Sequence, residues 1–231
     1  MTRDALLEVF DSPLFRRNYV SSEHPENPAA LPAEALEFLT ELAGRLNAVN
    51  VFEFGSGQST AAFLRAGLLV TSLEDSAHWM GETVARLEDE QKARHTALVR
   101  PLSVRMHGAY PVRDWTIDAE IRAKLARADL ILVDSPYYVP FRESTLWSGL
   151  VENNHAVVVL DDARIRTVAR FCDHLAAANP ALLHRRVGVG HTFDVFGRPE
   201  GVIATRRGHG FIDVLKGWRR FFVAGKSTTA S

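Results

Sequence analysis

The sequence lacks several features that would assign it at once to a particular class of protein. It has a single cysteine, Cys172, so no disulfide can form within the chain. Its N-terminal stretch, MTRDALLEVFDSPLF, carries acids among its apolar residues and resembles neither a signal peptide nor a membrane span. No repeat period is visible. We therefore expect a cytoplasmic protein held together by its hydrophobic core.

The chain also lacks an excess of charge of either sign. It contains 27 Lys and Arg against 28 Asp and Glu, for a formal net charge of -1. This balance gives no reason to expect a membrane or a nucleic acid as an obligatory partner. A mildly basic stretch near the C-terminus is only weak support for RNA binding, and a small molecule is the expected partner.

Length and composition fit one domain with flanking segments. The 231 residues, 46% of them hydrophobic, suffice for one sizeable core. We predict an irregular N-terminal extension or lid over 1–31, a domain over 32–215 and a C-terminal tail over 216–231. The aromatic stretch WRRFF (218–222) fits packing within the chain or against a second subunit, so a homo-oligomer stays an open alternative.

Between these flanks, apolar strand patterns alternate with helical ones. Strands are predicted at 49–54, 68–74, 96–103, 129–135 and 155–162, helices at 32–47, 58–67, 76–95, 118–127, 143–153 and 164–179, and a loop at 104–117. Two last strands, about 184–196 and 201–207, are joined by the turn-like GRPEG. Such alternation predicts an α/β fold: a Rossmann-like doubly wound sheet of about seven strands, mostly parallel, with a C-terminal antiparallel hairpin.

The turn after the first strand, in VFEFGSGQST (51–60), has an unusual glycine pattern. Dinucleotide-binding turns carry a third glycine, but Thr60 stands at that position here. Glu53 precedes the glycine pair, and its carboxylate would repel a pyrophosphate but attract an ammonium group. The start of the next helix can hold a carboxylate. An amino acid moiety therefore fits this turn better than a phosphate, which also disfavours a nicotinamide-dependent oxidoreductase.

The second predicted strand ends in Glu74, 21 residues after Glu53 (74 − 53). An acid at about this distance from the glycine turn is the usual acceptor for ribose hydroxyls. An amino acid joined to a ribose describes S-adenosylmethionine. The alternative is a purely structural glycine turn, with Glu74 a solvated acid.

Four segments, VFEFGSG, VTSLEDS, ADLILVDSP and VVVLDDAR, together resemble the class I S-adenosylmethionine-dependent methyltransferases over roughly residues 45–207. The resemblance implies that Glu53, Gly55 and Gly57 contact the methionine part of the cofactor and Glu74 its ribose, with residues 76–79 near the adenine. The full predicted cofactor-binding set is Glu53, Gly55, Ser56, Gly57, Ser59, Thr60, Glu74, Asp75, Trp79 and Asp134.

A narrower similarity is to metal-dependent small-molecule O-methyltransferases, including those acting on macrolide and aminocoumarin sugars. It rests on Asp134 in LVDSP and on Asp161 and Asp162 in LDDAR. These three carboxylates are predicted metal ligands, since Mg²⁺ prefers oxygen donors. Two alternatives stay open: Asp162 as the cap of the helix that begins near Arg164, and Asp161 as the partner of Arg164 or Arg166.

The predicted reaction is methyl transfer from S-adenosylmethionine to a hydroxyl of a small molecule, with Mg²⁺ as a candidate metal cofactor. Asp134 and His155 are our predicted catalytic residues, with His107 and His191 as other candidate bases. The loop DSPYYVPFR (134–142) is a predicted substrate loop. The alternatives are metal-independent N-, C- or carboxyl-methyl transfer, and a cofactor-binding protein without turnover.

Overall fold

The structure is a computed structural model that describes residues 1–16, 31–136, 142–189, 191–204, 215–219 and 221–222, without the side chains of residues 143 and 167. The helices are α1 (Arg3–Phe10), α2 (Ala33–Arg45), α3 (Gln58–Arg65), α4 (Ala77–Ala85), α5 (Asp89–Ala93), α6 (Ala119–Leu125), α7 (Arg142–Glu152) and α8 (Arg166–Ala178), and a 3-10 helix spans Pro13–Arg16. The strands are β1 (Asn50–Phe54), β2 (Leu69–Glu74), β3 (His95–Val99), β4 (Ser103–His107), β5 (Tyr110–Asp114), β6 (Leu130–Val133), β7 (Val157–Leu160), β8 (Leu183–Val189) and β9 (His191–Gly197).

Seven of these strands form one sheet in the order β3-β2-β1-β6-β7-β9-β8. The five strands from β3 to β7 in this order are parallel, whereas β9 runs antiparallel to both β7 and β8. The predicted doubly wound sheet with an antiparallel edge is confirmed. The order reverses at β1, which lies between β2 and β6, and ligands of such sheets bind beyond the carboxyl ends of the strands at this point.

The two faces of the sheet carry separate hydrophobic cores. On β1, Val51 packs with α1, α2 and α3, whereas Phe52 packs on the opposite face with residues of α6, α7 and α8. Side chains of β6 and β7 are buried on both faces, which explains their unbroken apolar runs, LILV and VVVL. This double burial holds the carboxyl ends of β1, β6 and β7 at one rim.

The N-terminal segment is not irregular throughout, which corrects the prediction for 1–31. Residues Arg3–Phe10 form α1, whose first turn is capped because the Thr2 hydroxyl oxygen accepts from the Ala5 amide at 3.3 Å. Leu6 and Phe10 are buried in the first core. The spacing of these apolar residues makes α1 part of the domain. The proline-rich part of the predicted lid, 17–30, lies outside the described residues.

The predicted loop 104–117 and the last strand pair also need correction. Residues 103–114 form the β4–β5 hairpin, a separate two-stranded sheet. The C-terminal hairpin lies within 183–197, since Val189 pairs with His191, and GRPEG follows its second strand. Residues 201–204 are not in a strand, and 205–207 lie outside the described residues. Apolar residues alternate on both sides of residue 190, and this pattern by itself predicts one continuous strand.

The described part of the C-terminal tail contacts the β4–β5 hairpin of the same chain. The Trp218 indole N–H donates to the Ala109 carbonyl at 3.0 Å, and Phe221 packs on Tyr110 and Val112. Of the two open alternatives for WRRFF, the structure shows packing within the chain. Among the described helices, none is long and apolar enough to cross a membrane.

Candidate functional site

The glycine turn leaves β1 at the switch point and begins α3. Gly55 has a φ of 108°, in the region that favours glycine, and a Cβ there would lie 3.2 Å from the Ser135 Cβ. Around Gly57 the space is more open, because a Cβ there would meet only the Trp79 ring, at 3.9 Å. The first glycine is therefore required by the fold, while the Trp79 ring lies beside the second.

Thr60 explains why this turn has no third glycine. Its hydroxyl oxygen accepts from the Gly57 amide at 2.9 Å, and its hydroxyl donates to the buried Glu53 carboxylate. The Ser59 and Ser72 hydroxyls also donate to Glu53, at 2.8 and 2.6 Å. A glycine at position 60 would lose the cap of α3 and one hydroxyl partner of the acid.

Glu53 lies beneath the turn and is only 1% exposed. Burial raises its pKa to about 7, although the hydroxyls of Ser72, Thr60 and Ser59 act to lower it. The two carboxylate oxygens receive three hydroxyl donors from the protein. The Glu53 carboxylate therefore links β1, β2 and α3 through these hydrogen bonds. Its direct contact with the ammonium group of a ligand stays a prediction.

Glu74 ends β2 close to the same turn. One of its oxygens accepts from the Asp75 and Ser76 amides at 3.0 and 3.2 Å, and the other accepts from the Ser56 hydroxyl at 3.3 Å. Burial raises the pKa of Glu74. Asp75 itself is exposed and contributes its backbone amide to this arrangement. The backbone amides fix the orientation of Glu74 and leave its second oxygen on the side of Ser56.

A cleft joins the glycine turn to the end of β6. It is lined by Ser56, Gly57, Trp79, Thr83 and Asp134, among others, and has a cavity volume of about 120 Å³. The Trp79 indole N–H donates to the Ser56 carbonyl at 2.6 Å, so the ring lies over the turn. Small-molecule sites usually enclose about 300 Å³ or more.

The three predicted metal ligands come together at the ends of β6 and β7, around an arginine. Arg142, the first residue of α7, places Nη1 2.7 Å from Asp162 and 3.8 Å from Asp161, and Nη2 3.3 Å from Asp134. Its Nε–H donates to the Pro136 carbonyl at 3.3 Å. The expected pairing of Asp161 with Arg164 or Arg166 is wrong among the described residues: Asp161 lies beside Arg142, and Arg164 lies 3.8 Å from Asp162.

Charge in this cluster is distributed unevenly. Burial and the neighbouring Asp161 carboxylate hold the pKa of Asp134 well above its usual value, against the effect of Arg142. For Asp161, burial acts in the same direction, but a hydrogen bond from His191 and the charge of Arg142 leave its pKa lowered. His191 Nδ1 lies 3.2 Å from Asp161. Asp134 is thus the carboxyl of the cluster that holds a proton most readily.

The two predicted catalytic residues are not brought together. His155 precedes β7 and lies 3.9 Å from Asp129, which precedes β6. Both therefore sit at the amino ends of their strands, while Asp134 follows the carboxyl end of β6. Four strand residues separate the two edges by about 13 Å. The histidine that does reach the rim is His191, the first residue of β9.

Sequence reasoning assigned Arg142 only to a substrate loop, and its contact with three carboxylates was not foreseen. The available signal was its position eight residues after Asp134 (142 − 134), at the start of a helix beside the acidic strand ends. The tyrosines of that loop, at 137 and 138, lie outside the described residues. Ser72 and Thr83 were missed as well, since a strand serine and a helix threonine carry no distinctive pattern.

Taken together, the strand order, the glycine turn at β1 and the acid ending β2 define the fold of class I S-adenosylmethionine-dependent methyltransferases. Neither a protein-family description nor a curated protein matches the chain.

Solved structures match this fold. Cofactor-bound Rv0187 from MTB is 18% identical with a TM-score of 0.55, and the match covers 86% of this chain and 91% of that one. An O-methyltransferase from Bacillus cereus in complex with SAH is 16% identical with a TM-score of 0.53, covering 86% and 92%. An SAH-bound methyltransferase from Podospora anserina is 13% identical with a TM-score of 0.54, covering 84% and 88%.

Proposed function

We propose that this protein transfers the methyl group of S-adenosylmethionine to a hydroxyl of a small molecule. One observation carries the proposal: a single cleft is lined by the glycine turn, by Asp134 and by Ser56, whose hydroxyl donates to Glu74. The similar structures that contain SAH or a cofactor support the choice of ligand. A cytoplasmic location and a small-molecule acceptor accompany this proposal as expectations from the sequence.

The residues around the cleft fit the chemistry of this cofactor. Glu74 presents a carboxylate oxygen that can accept from ribose hydroxyls, and its orientation is held by two backbone amides. The N-terminus of α3, which follows Gly57, suits the methionine carboxylate. Asp134 lines the same cleft, and its carboxyl has an oxygen that can accept a hydrogen bond from the ammonium group. Glu53 supports the turn from below.

When bound, the cofactor supplies an electrophilic methyl group: its carbon–sulfur bond breaks as the acceptor oxygen forms a new carbon–oxygen bond. The acceptor hydroxyl must then lose its proton to a group of the protein. Burial and the neighbouring Asp161 raise the pKa of Asp134, so its carboxyl holds a proton more readily than an exposed one and is the candidate acceptor. His191, held 3.2 Å from Asp161, is a second candidate acceptor at the same rim.

The described residues do not fit a divalent ion between Asp134, Asp161 and Asp162. The oxygens that would hold it face the guanidinium of Arg142 at 2.7 to 3.8 Å. A bound Mg²⁺ has oxygen ligands at about 2.1 Å and would meet a permanent positive charge in the same space. We therefore propose methyl transfer without a divalent ion at this position.

Calorimetry with S-adenosylhomocysteine tests the proposal. Glu74→Gln retains a carbonyl oxygen for the two backbone amides but replaces the other oxygen with a donor, so we expect it to weaken binding by about 1–3 kcal/mol. Glu90→Gln is the matched control, since Glu90 is an exposed acid of α5, paired with Arg94 at 3.4 Å.

Absence of heat at millimolar S-adenosylhomocysteine would refute cofactor use altogether. Binding without methyl transfer to any hydroxyl compound in a panel of small acceptors would favour the cofactor-binding protein without turnover. Transfer to nitrogen, carbon or carboxylate acceptors in place of hydroxyls would favour the other methyltransferase classes.

A further inference from the structure

The positive charge between Asp134, Asp161 and Asp162 is supplied by a side chain of the protein, Arg142. Each of the three carboxylates directs an oxygen at the Arg142 guanidinium: Oδ2 of Asp162, Oδ2 of Asp161 and Oδ1 of Asp134. These acids arise from two neighbouring strand ends, β6 and β7. Without the guanidinium, three carboxylates would meet at one point, which is strongly unfavourable away from bulk water.

Arg142 is held as a fixed part of the site. The residue is 5% exposed, and its third nitrogen donates to the Pro136 carbonyl. An arginine remains charged at all accessible pH values. A surface arginine would exchange partners, but this one contacts acceptors on several sides. Its charge is therefore permanent at this rim in the way that a bound ion would be.

We propose that Arg142 stands in for a divalent cation: it fills the cation position between Asp134, Asp161 and Asp162 and orients Asp134 toward the cleft. The inference rests on the proposed methyl-transfer site. Arg142 acts here as a positioning residue, through the carboxyl of Asp134. The consequence is that these carboxylates bind no divalent ion until the guanidinium is removed.

A second arrangement of donors leads to the same expectation. Asp161, Asp162 and His191 each offer one ligand atom, and these atoms lie within 4.8 Å of one another. Both acids of this group are already partners of Arg142, and His191 faces Asp161. An ion here would again lie beside the guanidinium, and like charges this close repel each other strongly.

Electron paramagnetic resonance with Mn²⁺ tests the proposal without using enzyme activity. Wild-type protein should bind no Mn²⁺ at up to about millimolar concentration at this site. Arg142→Ala frees the carboxylates and should bind Mn²⁺ at least about tenfold more tightly than wild type. Arg142→Ala combined with Asp161→Asn should lose the gained binding. Arg122→Ala, which removes an exposed arginine paired with Glu152 at 2.8 Å, is the matched control and should bind as wild type does.

Tight Mn²⁺ binding by wild type that disappears in Asp161→Asn would overturn the proposal, and so would a folded Arg142→Ala protein that gains none. The wild-type titration decides the first point even where Arg142→Ala does not fold. Calorimetry with S-adenosylhomocysteine on the same wild-type sample separates the two proposals. A missing cofactor response refutes the methyl-transfer function, while the Mn²⁺ result still reports on Arg142.

Discussion

Replacing Glu53 by glutamine should remove a pH dependence of stability that originates in this buried carboxyl. Burial raises its pKa from 4.5 to about 7 in the folded protein. Between these values the folded chain keeps a proton that the unfolded chain has released. The free energy of unfolding therefore falls as the pH rises from 4.5 to 7, and it stays level above that range.

The size of the effect follows from the shift in pKa. One pKa unit corresponds to about 1.4 kcal/mol, so the displacement to about 7 is equivalent to about 3 kcal/mol across this interval. The glutamine cannot titrate and loses the slope. It also presents an amide nitrogen where Glu53 accepted hydroxyl donors from Ser59, Thr60 and Ser72. That loss adds a change in stability that does not depend on pH.

Urea unfolding followed by circular dichroism at pH 5, 6, 7 and 8 provides the measurement. The informative quantity is the difference in unfolding free energy between Glu53→Gln and wild type, because other titrating groups cancel in it. We expect this difference to shift in favour of the variant by about 2.5 kcal/mol between pH 5 and pH 8, because part of the full effect lies below pH 5. Glu90→Gln, at an exposed acid, should show no such trend. A difference that stays constant from pH 5 to pH 8 would refute this account of Glu53.

Two further predictions concern the same turn. S-adenosylhomocysteine should change the tryptophan fluorescence, because the Trp79 ring covers the turn and donates to Ser56. Trp79→Phe should lose most of this change, while Trp218→Phe should retain it. An unchanged response in Trp79→Phe would contradict the prediction. Thr60→Val should lower the free energy of unfolding by about 1–2 kcal/mol, since it removes the cap on Gly57 and a donor to Glu53. Urea unfolding measures this change, and Thr60→Ser should restore most of the lost stability. Equal stability of wild type and both variants would refute the prediction.

The general fold was predictable because buried parallel strands and amphipathic helices leave strong local patterns. Runs such as LILV and VVVL can be recognised from composition alone, and the structure confirms both as central strands. The pattern was weaker at the margins. The β4–β5 hairpin has exposed apolar residues, including Val104 at 62% and Met106 at 59% exposure, so its alternation resembled a loop. In α1, the apolar spacing was overlooked beside the proline-rich segment that follows it.

Only the part of the candidate site around the glycine turn and Glu74 could be predicted from the sequence. Glu53, Gly55, Gly57 and Glu74 are near one another because one strand-turn-helix unit and the next strand bring them together, and sequence spacing reports such local geometry. His155 shows where spacing fails: it lies close to strand β7 in sequence, but at the edge of the sheet away from Asp134. Its distance from the rim depends on the direction of a strand, which a histidine alone does not reveal.

By itself, the sequence determined the alternation of strands and helices, the glycine turn with Thr60 in place of a third glycine, and the presence of acids at successive strand ends. These features depend on local periodicity and on the backbone conformations that particular residues allow. Only the tertiary structure decided which charge meets those acids. Arg142 reaches Asp134, Asp161 and Asp162 because α7 begins above the ends of β6 and β7. The chain spacing places Arg142 near Asp134, but its contacts with Asp161 and Asp162 depend on how α7 packs against the ends of both strands.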